Sequence, residues 1–163
     1  MRKKRPSAAG KAGESALRLL AVRDHSLREM ERKLAVRGFT AGEITDALKG
    51  LKAHGYLDDF RYARRQAAFL TREKLFGPQR IGQKLFEKGI PAELAREAIS
   101  EAEAAFPARE RLRAVLQMKL KGLTLQQLSP RERRQLFQFL YRRGFPWEDV
   151  SEVFQEAGGF SEE

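Results

Sequence analysis

Leu34-Ala35-Val36-Arg37-Gly38-Phe39-Thr40-Ala41-Gly42-Glu43-Ile44-Thr45-Asp46-Ala47-Leu48 reads as two helices around a glycine corner. Gly38 supplies the left-handed residue that ends a helix. Phe39 is the apolar residue that folds back onto the corner. Ile44 and Leu48 stand one turn apart on the buried side of the following helix. The pattern returns twice. Moved by 51 positions, Leu34, Gly38, Phe39, Ile44 and Leu48 become Leu85, Gly89, Ile90, Ala95 and Ile99; moved by a further 55, they become Leu140, Gly144, Phe145, Val150 and Phe154. Met30, Ile81 and Leu136 each precede the first leucine by one turn. Five matching positions in three copies mark an internal repeat.

Working outward, helix formers dominate and no stretch alternates long enough for a strand. A helix over 14–23 puts Leu17, Leu20 and Ala21 on one face. Ser26 is an N-cap, with Glu29 placed to complete a capping box, and the helix behind it buries Leu27, Met30 and Leu34. The next runs from Ala41 to His54 and stops at Gly55. Asp58 or Asp59 caps a helix to about Leu75 that buries Tyr62, Ala63, Phe69 and Leu70. Gly77-Pro78 opens another, with proline in a permitted first-turn position; it buries Ile81 and Leu85. Helices near 92–105, 108–121, 130–143 and 147–157 complete the set. The expected fold is all-α: an elongated, curved array of three tandem three-helix modules, each leaning on its neighbours. The expected divisions are a disordered basic arm at 1–13, modules at 14–56, 57–107 and 108–158, and an acidic tail at 159–163.

The 163 residues are 42% apolar and 33% charged, with a net charge of +10. The absence of cysteine excludes disulfides and thiolate chemistry and fits a reducing compartment. Charged residues interrupt every apolar run short of a membrane span, so a cytoplasmic protein is expected. Charge falls in helix-length blocks: +6 over 61–90, −3 over 91–107, +8 over 108–145 and −6 over 146–163. Arg61, Arg65 and Arg72 fall within about 40° of one another on a helix, with Arg64 beside them; Arg80, Lys84 and Lys88 recur every four residues, and Lys74 lies between the two sets. These eight are the candidate contact residues for an acidic partner. The aromatic residues fall mostly on core positions, and Trp147 opens the last helix part-exposed. His25 and His54 have no metal-ligand spacing, Asp58-Asp59 reads as a cap, and no phosphate loop or nucleophile motif occurs. No metal, cofactor, small-molecule substrate or catalysis is expected, and the chain is expected to be a monomer.

Gly55-Tyr56-Leu57-Asp58-Asp59, Tyr62-Ala63, Gly77-Pro78-Gln79-Arg80-Ile81 and Leu85-Phe86-Glu87-Lys88-Gly89-Ile90 together resemble the RecX regulatory protein family, as do Ala16-Leu17-Arg18-Leu19-Leu20, Ser26, Glu29, Lys33 and Leu34. The resemblance implies a cytoplasmic bacterial modulator of the RecA recombinase, built of three-helix modules. It implies a non-enzymatic protein that lies in the groove of the RecA filament on DNA. There it inhibits ATP hydrolysis, strand exchange, filament extension and the repressor cleavage of the SOS response. Some members also bind single- or double-stranded DNA. Two other readings remain. Paired helices around a glycine turn also suit a helix-turn-helix DNA binder, for which Thr40, Thr45 and Lys49 of module one are the candidate readers. The third is a helical protein–protein adaptor.

Overall fold

Capping residues and glycine corners divide the chain before any tertiary contact is considered. The structure, a computed structural model, describes residues 8–158. Most of the expected basic arm and all of the expected acidic tail lie outside them. Among the described residues there are nine α-helices and no strand: α1 (Ala8–Leu20), α2 (Leu27–Val36), α3 (Ala41–Ala53), α4 (Asp59–Arg72), α5 (Pro78–Glu87), α6 (Ala92–Ala105), α7 (Ala108–Leu120), α8 (Pro130–Arg142) and α9 (Trp147–Glu156). They group as three tandem three-helix modules, each with its own apolar core. Met30, Leu34, Ile44 and Leu51 centre the first. Tyr62, Ile81, Leu85 and Ala98 centre the second, and Leu112, Leu140, Phe145, Val150 and Phe154 the third.

Several details differ from the sequence reading. Helix α1 begins at Ala8, inside the expected disordered arm, and ends at Leu20. Ala12 and Ala16 are its fully buried residues, whereas Leu17 is 42% exposed; small side chains let α1 approach its neighbours closely, which rotates the buried face. Phe69 is also exposed, because Ala67, Leu70 and Thr71 take the inward face of α4. A 3₁₀ turn at Leu125–Gln127 lies between α7 and α8. It occupies the longer connection that makes the second repeat spacing 55 rather than 51.

Ser26 does cap α2, accepting from the Glu29 N–H at 3.1 Å. The Glu29 carboxylate does not return the bond. It is 3% exposed and faces module two, from which Lys88 approaches at 2.8 Å and the Tyr62 hydroxyl at 3.2 Å, while Arg23 of its own module pairs with it at 3.0 Å. Burial raises this carboxyl, but hydrogen bonds and charge from Arg23 and Lys88 more than offset it and bring it down to about 2. Burial, with the Glu29 charge, pushes the Tyr62 hydroxyl up to about 12. Asp58 caps α4 through the Arg61 N–H. Asp59 instead crosses to module one and accepts from the Leu27 N–H at 2.8 Å.

The two junctions share one geometry. The cap residue of each middle helix donates to the last carbonyl of the next middle helix: Ser26 Oγ to Lys88 O at 2.5 Å, and the Gly77 N–H to Arg143 O at 2.9 Å. Their surroundings differ in a complementary way. Leu27 opens α2 with an N–H that Asp59 satisfies, while Pro78 opens α5 with no N–H and faces a module whose first helical residue is Ala108. At the second junction the Gln79 N–H donates to Gly144 O at 3.1 Å, and Arg143 donates to the carbonyls of Lys74 and Leu75. Arg111, fully buried, donates to Phe76 O and Phe106 O and pairs with Glu103 at 2.5 Å. In module three Ser129 caps α8 and forms a reciprocal box with Glu132.

Two stability predictions follow from these junctions. Gly144 has φ +87°, and a methyl there would overlap the backbone nitrogen and Cβ of Arg80; Gly38 has φ +84° and faces open space. Gly38→Ala should cost about 1 kcal/mol from backbone strain alone, and Gly144→Ala at least about 3 kcal/mol once the overlap is added. Urea unfolding compares the two, and equal losses would contradict the described packing. Glu29→Gln should cost about 2 kcal/mol at neutral pH, since Arg23 and Lys88 retain access to water. The folded carboxyl lies below its ordinary 4.5. Its contribution is therefore full above about 4.5 and fades as the pH falls toward 2. Over that window the unaltered protein should lose stability more steeply than the Gln variant; parallel curves would show that the ionic contact contributes nothing.

Candidate binding surfaces

The basic stripe of α4 arises from its period: the apolar residues Tyr62, Ala63, Ala67 and Leu70 turn inward, so the arginines between them turn out. Helix α6 packs beside α4 through Ala98 and Ala102, and small residues at the contact leave a groove along its edge. This groove, about 570 Å³, is bordered by Arg61, Arg64, Arg65 and Arg72 and floored by Ala68, Thr71 and Ala105. The Thr71 hydroxyl is buried and makes no hydrogen bond in the structure. Four of the eight candidate residues therefore meet in one place.

Their electrostatic states differ. Arg64 pairs with Glu101 across the groove at 2.5 Å and lies 5.3 Å from the Phe60 ring. Arg65 pairs with Asp24 of module one at 2.6 Å. Arg61 donates to Gly55 O at 2.8 Å. Arg72 is exposed and makes no ion pair among the described residues. All of these are surface contacts worth at most about 1 kcal/mol each, so an anionic partner can displace them.

The other four candidates lie apart from the groove. On α5, Arg80 donates to Gln83 at 2.6 Å and Lys84 pairs with Glu87 at 2.8 Å. Lys74 sits 5.6 Å from the Phe69 ring. Lys88 is tied to the buried Glu29, so it serves the first junction.

Sequence reasoning missed Glu29 and Arg111, which sit at the junctions. The basic block over 108–145 is a second candidate surface without named residues; the structure resolves it into an exposed face of α8 carrying Arg131, Arg134 and Arg142, beside Tyr141 and Trp147. The signal was present: those arginines lie in the +8 block at helical spacing. In contrast, Arg109 and Arg113 of α7 are bound to Glu152 and Glu156 of α9 at 2.5–2.9 Å. Among the described residues there is no cluster of three or more His, Cys, Asp or Glu side chains able to hold a metal, and no helix long and apolar enough to cross a membrane.

Charge reversal separates these roles. Arg72→Glu should leave stability within about 0.5 kcal/mol. Lys88→Glu should cost about 3 kcal/mol, because it sets a second carboxylate against buried Glu29. Thermal unfolding of both variants is the measurement, and a tolerated Lys88→Glu would place that lysine outside the junction.

Comparison with known proteins follows the modules. Residues 12–51 match the family model for the first three-helix domain of RecX, residues 58–99 the second, and residues 108–154 the third. The chain is 33% identical over 142 residues to the regulatory protein RecX of Trichlorobacter lovleyi, covering 87% of this chain and 92% of that protein. It is 36% identical over 152 residues to the regulatory protein RecX of Escherichia coli, covering 87% and 89%. The crystal structure of RecX from Lactobacillus salivarius superposes with a TM-score of 0.79 at 22% identity, over 94% of this chain and 98% of that one. A second crystal structure of a regulatory protein RecX gives 0.78 at 23%, over 94% and 74%. With all three domains matched in order, this chain belongs to the RecX regulatory protein family.

Proposed function

We propose that this protein regulates the RecA recombinase without catalysis of its own, binding RecA and lying along its filament on DNA in the bacterial cytoplasm. There it inhibits ATP hydrolysis, strand exchange and filament extension. The observation that carries the reading is a tandem of three family modules with an arginine-bordered groove on the middle one. A filament presents the same surface many times, so contacts that are individually weak add along it. Of the groove arginines, Arg64 and Arg65 are held by displaceable surface ion pairs and Arg72 by none among the described residues, which suits an acidic face of the filament or its phosphates.

The helix-turn-helix alternative receives little support. In module one Thr40 is engaged in a capping box with Glu43, and the Thr45 hydroxyl donates to Ala41 O at 2.8 Å. Two of the three candidate readers are thus occupied by their own helix, which leaves the exposed Lys49 alone. The equivalent helices α6 and α9 carry net negative charge along their length, so neither suits insertion into a groove walled by phosphates.

The test is RecA's DNA-dependent ATPase. Stoichiometric protein should suppress it. A variant reversing Arg65, Arg72, Arg80 and Lys84 together should suppress it at least about tenfold less effectively at equal concentration, with helicity unchanged. No inhibition by the unaltered protein would remove the proposal; full inhibition by the variant would move the contact off α4 and α5.

A further inference from the structure

We infer that the outer face of α8, with the start of α9, binds single-stranded nucleic acid by stacking bases on Trp147 and Tyr141 and pairing phosphates with Arg131, Arg134 and Arg142. The inference rests on the reading of a DNA-bound filament as the target and adds a separate surface to it. Trp147 is 57% exposed and Tyr141 49% exposed. Their rings stand 6.4 Å apart at 77°, and Trp147 is seated on the buried Phe137 at 4.4 Å and 62°. The indole is thus anchored from below and open above. An aromatic ring held this way is a platform for any base, since every base has a π-face.

The arginines complete the surface. On α8, Arg134 and Tyr141 lie within about 20° of one another, as do Arg131 and Arg142 on the adjoining ridge. All three arginines are exposed, and none makes an ion pair or hydrogen bond within the described residues. The ridge from Arg131 to Arg142 spans about 16 Å, enough to meet successive phosphates of one strand. The nearby acids are engaged or set to one side: Glu132 closes the Ser129 box, and Glu152 and Glu156 pair with Arg109 and Arg113. Glu148 is exposed and Asp149 half-buried just after Trp147, neither in an ion pair among the described residues, so the strand runs on the α8 side of the indole. An acidic protein would satisfy the arginines but has no use for two open rings, and a duplex hides the faces that they stack upon.

The chain has one tryptophan, so Trp147 fluorescence reads the site directly. The full chain is titrated with a single-stranded oligothymidylate, a duplex of equal length, and polyglutamate. Saturable quenching by the oligothymidylate is expected, with the other two at least about tenfold weaker. Changing Arg131, Arg134 and Arg142 together to Gln should lower the slope of log affinity against log salt by about 2, from three phosphate contacts on a single strand. Tyr141→Ala should weaken binding roughly tenfold; both variants alter exposed side chains, and circular dichroism checks the fold. Absent quenching, an unchanged salt slope, or equal quenching by duplex or polyglutamate would each overturn the inference. If RecA inhibition persists while quenching is absent, the regulatory reading stands and this surface alone is removed.

Discussion

The array depends on one hydrogen bond made twice. The residue that begins a middle helix donates to the carbonyl that ends the next one. The acceptor in each case is left over by helix geometry, because last-turn carbonyls have no partner inside their own helix; the donor is the Ser26 hydroxyl at the first seam and the Gly77 N–H at the second. Joining them across a module boundary satisfies backbone that burial would otherwise leave unpaired. It also sets position, since the glycine corner behind the carbonyl must seat directly on the neighbouring helix start. Each module has a core too small to be generous, so this seam is part of what each one stands on.

Charge is arranged around the same frame. The blocks seen in the sequence are largely resolved inside the modules: basic α4 faces acidic α6 through Arg64 and Glu101, and basic α7 faces acidic α9 through Arg109, Arg113 and Glu156. Arginines left without strong partners gather on the rim of the α4–α6 groove and on the outer face of α8. Lys88 and Arg143, equivalent in the repeat, are used at the seams, one against Glu29 and the other against backbone carbonyls.

Much of this was legible in the residues because helix termination is a local event. Gly38, Gly89 and Gly144 announce their corners without any knowledge of the tertiary fold, and all three take positive φ. The arginine stripe of α4 follows from helical period alone. What the residues hid was whatever depended on a partner distant in the chain. Glu29 looked like a capping-box acid, since Ser26 is three residues away; its actual partner Lys88 is 59 residues away. Phe69 looked like core because it is large and apolar, but alanines on α6 suit close packing against Ala67 and Leu70 better. Arg111 looked like one more surface cation in a basic block. The groove itself needs α6 beside α4, which no pattern within α4 discloses.

Ser129 has a consequence for assembly. Its equivalents at the start of α2 and α5 are turned outward to a neighbour, whereas Ser129 and Glu132 satisfy each other within α8. At the opposite end the Gly38 corner stands open. Neither the hydroxyl nor the N–H of Ser129 is left to serve a further seam of the kind that Ser26 and Gly77 make.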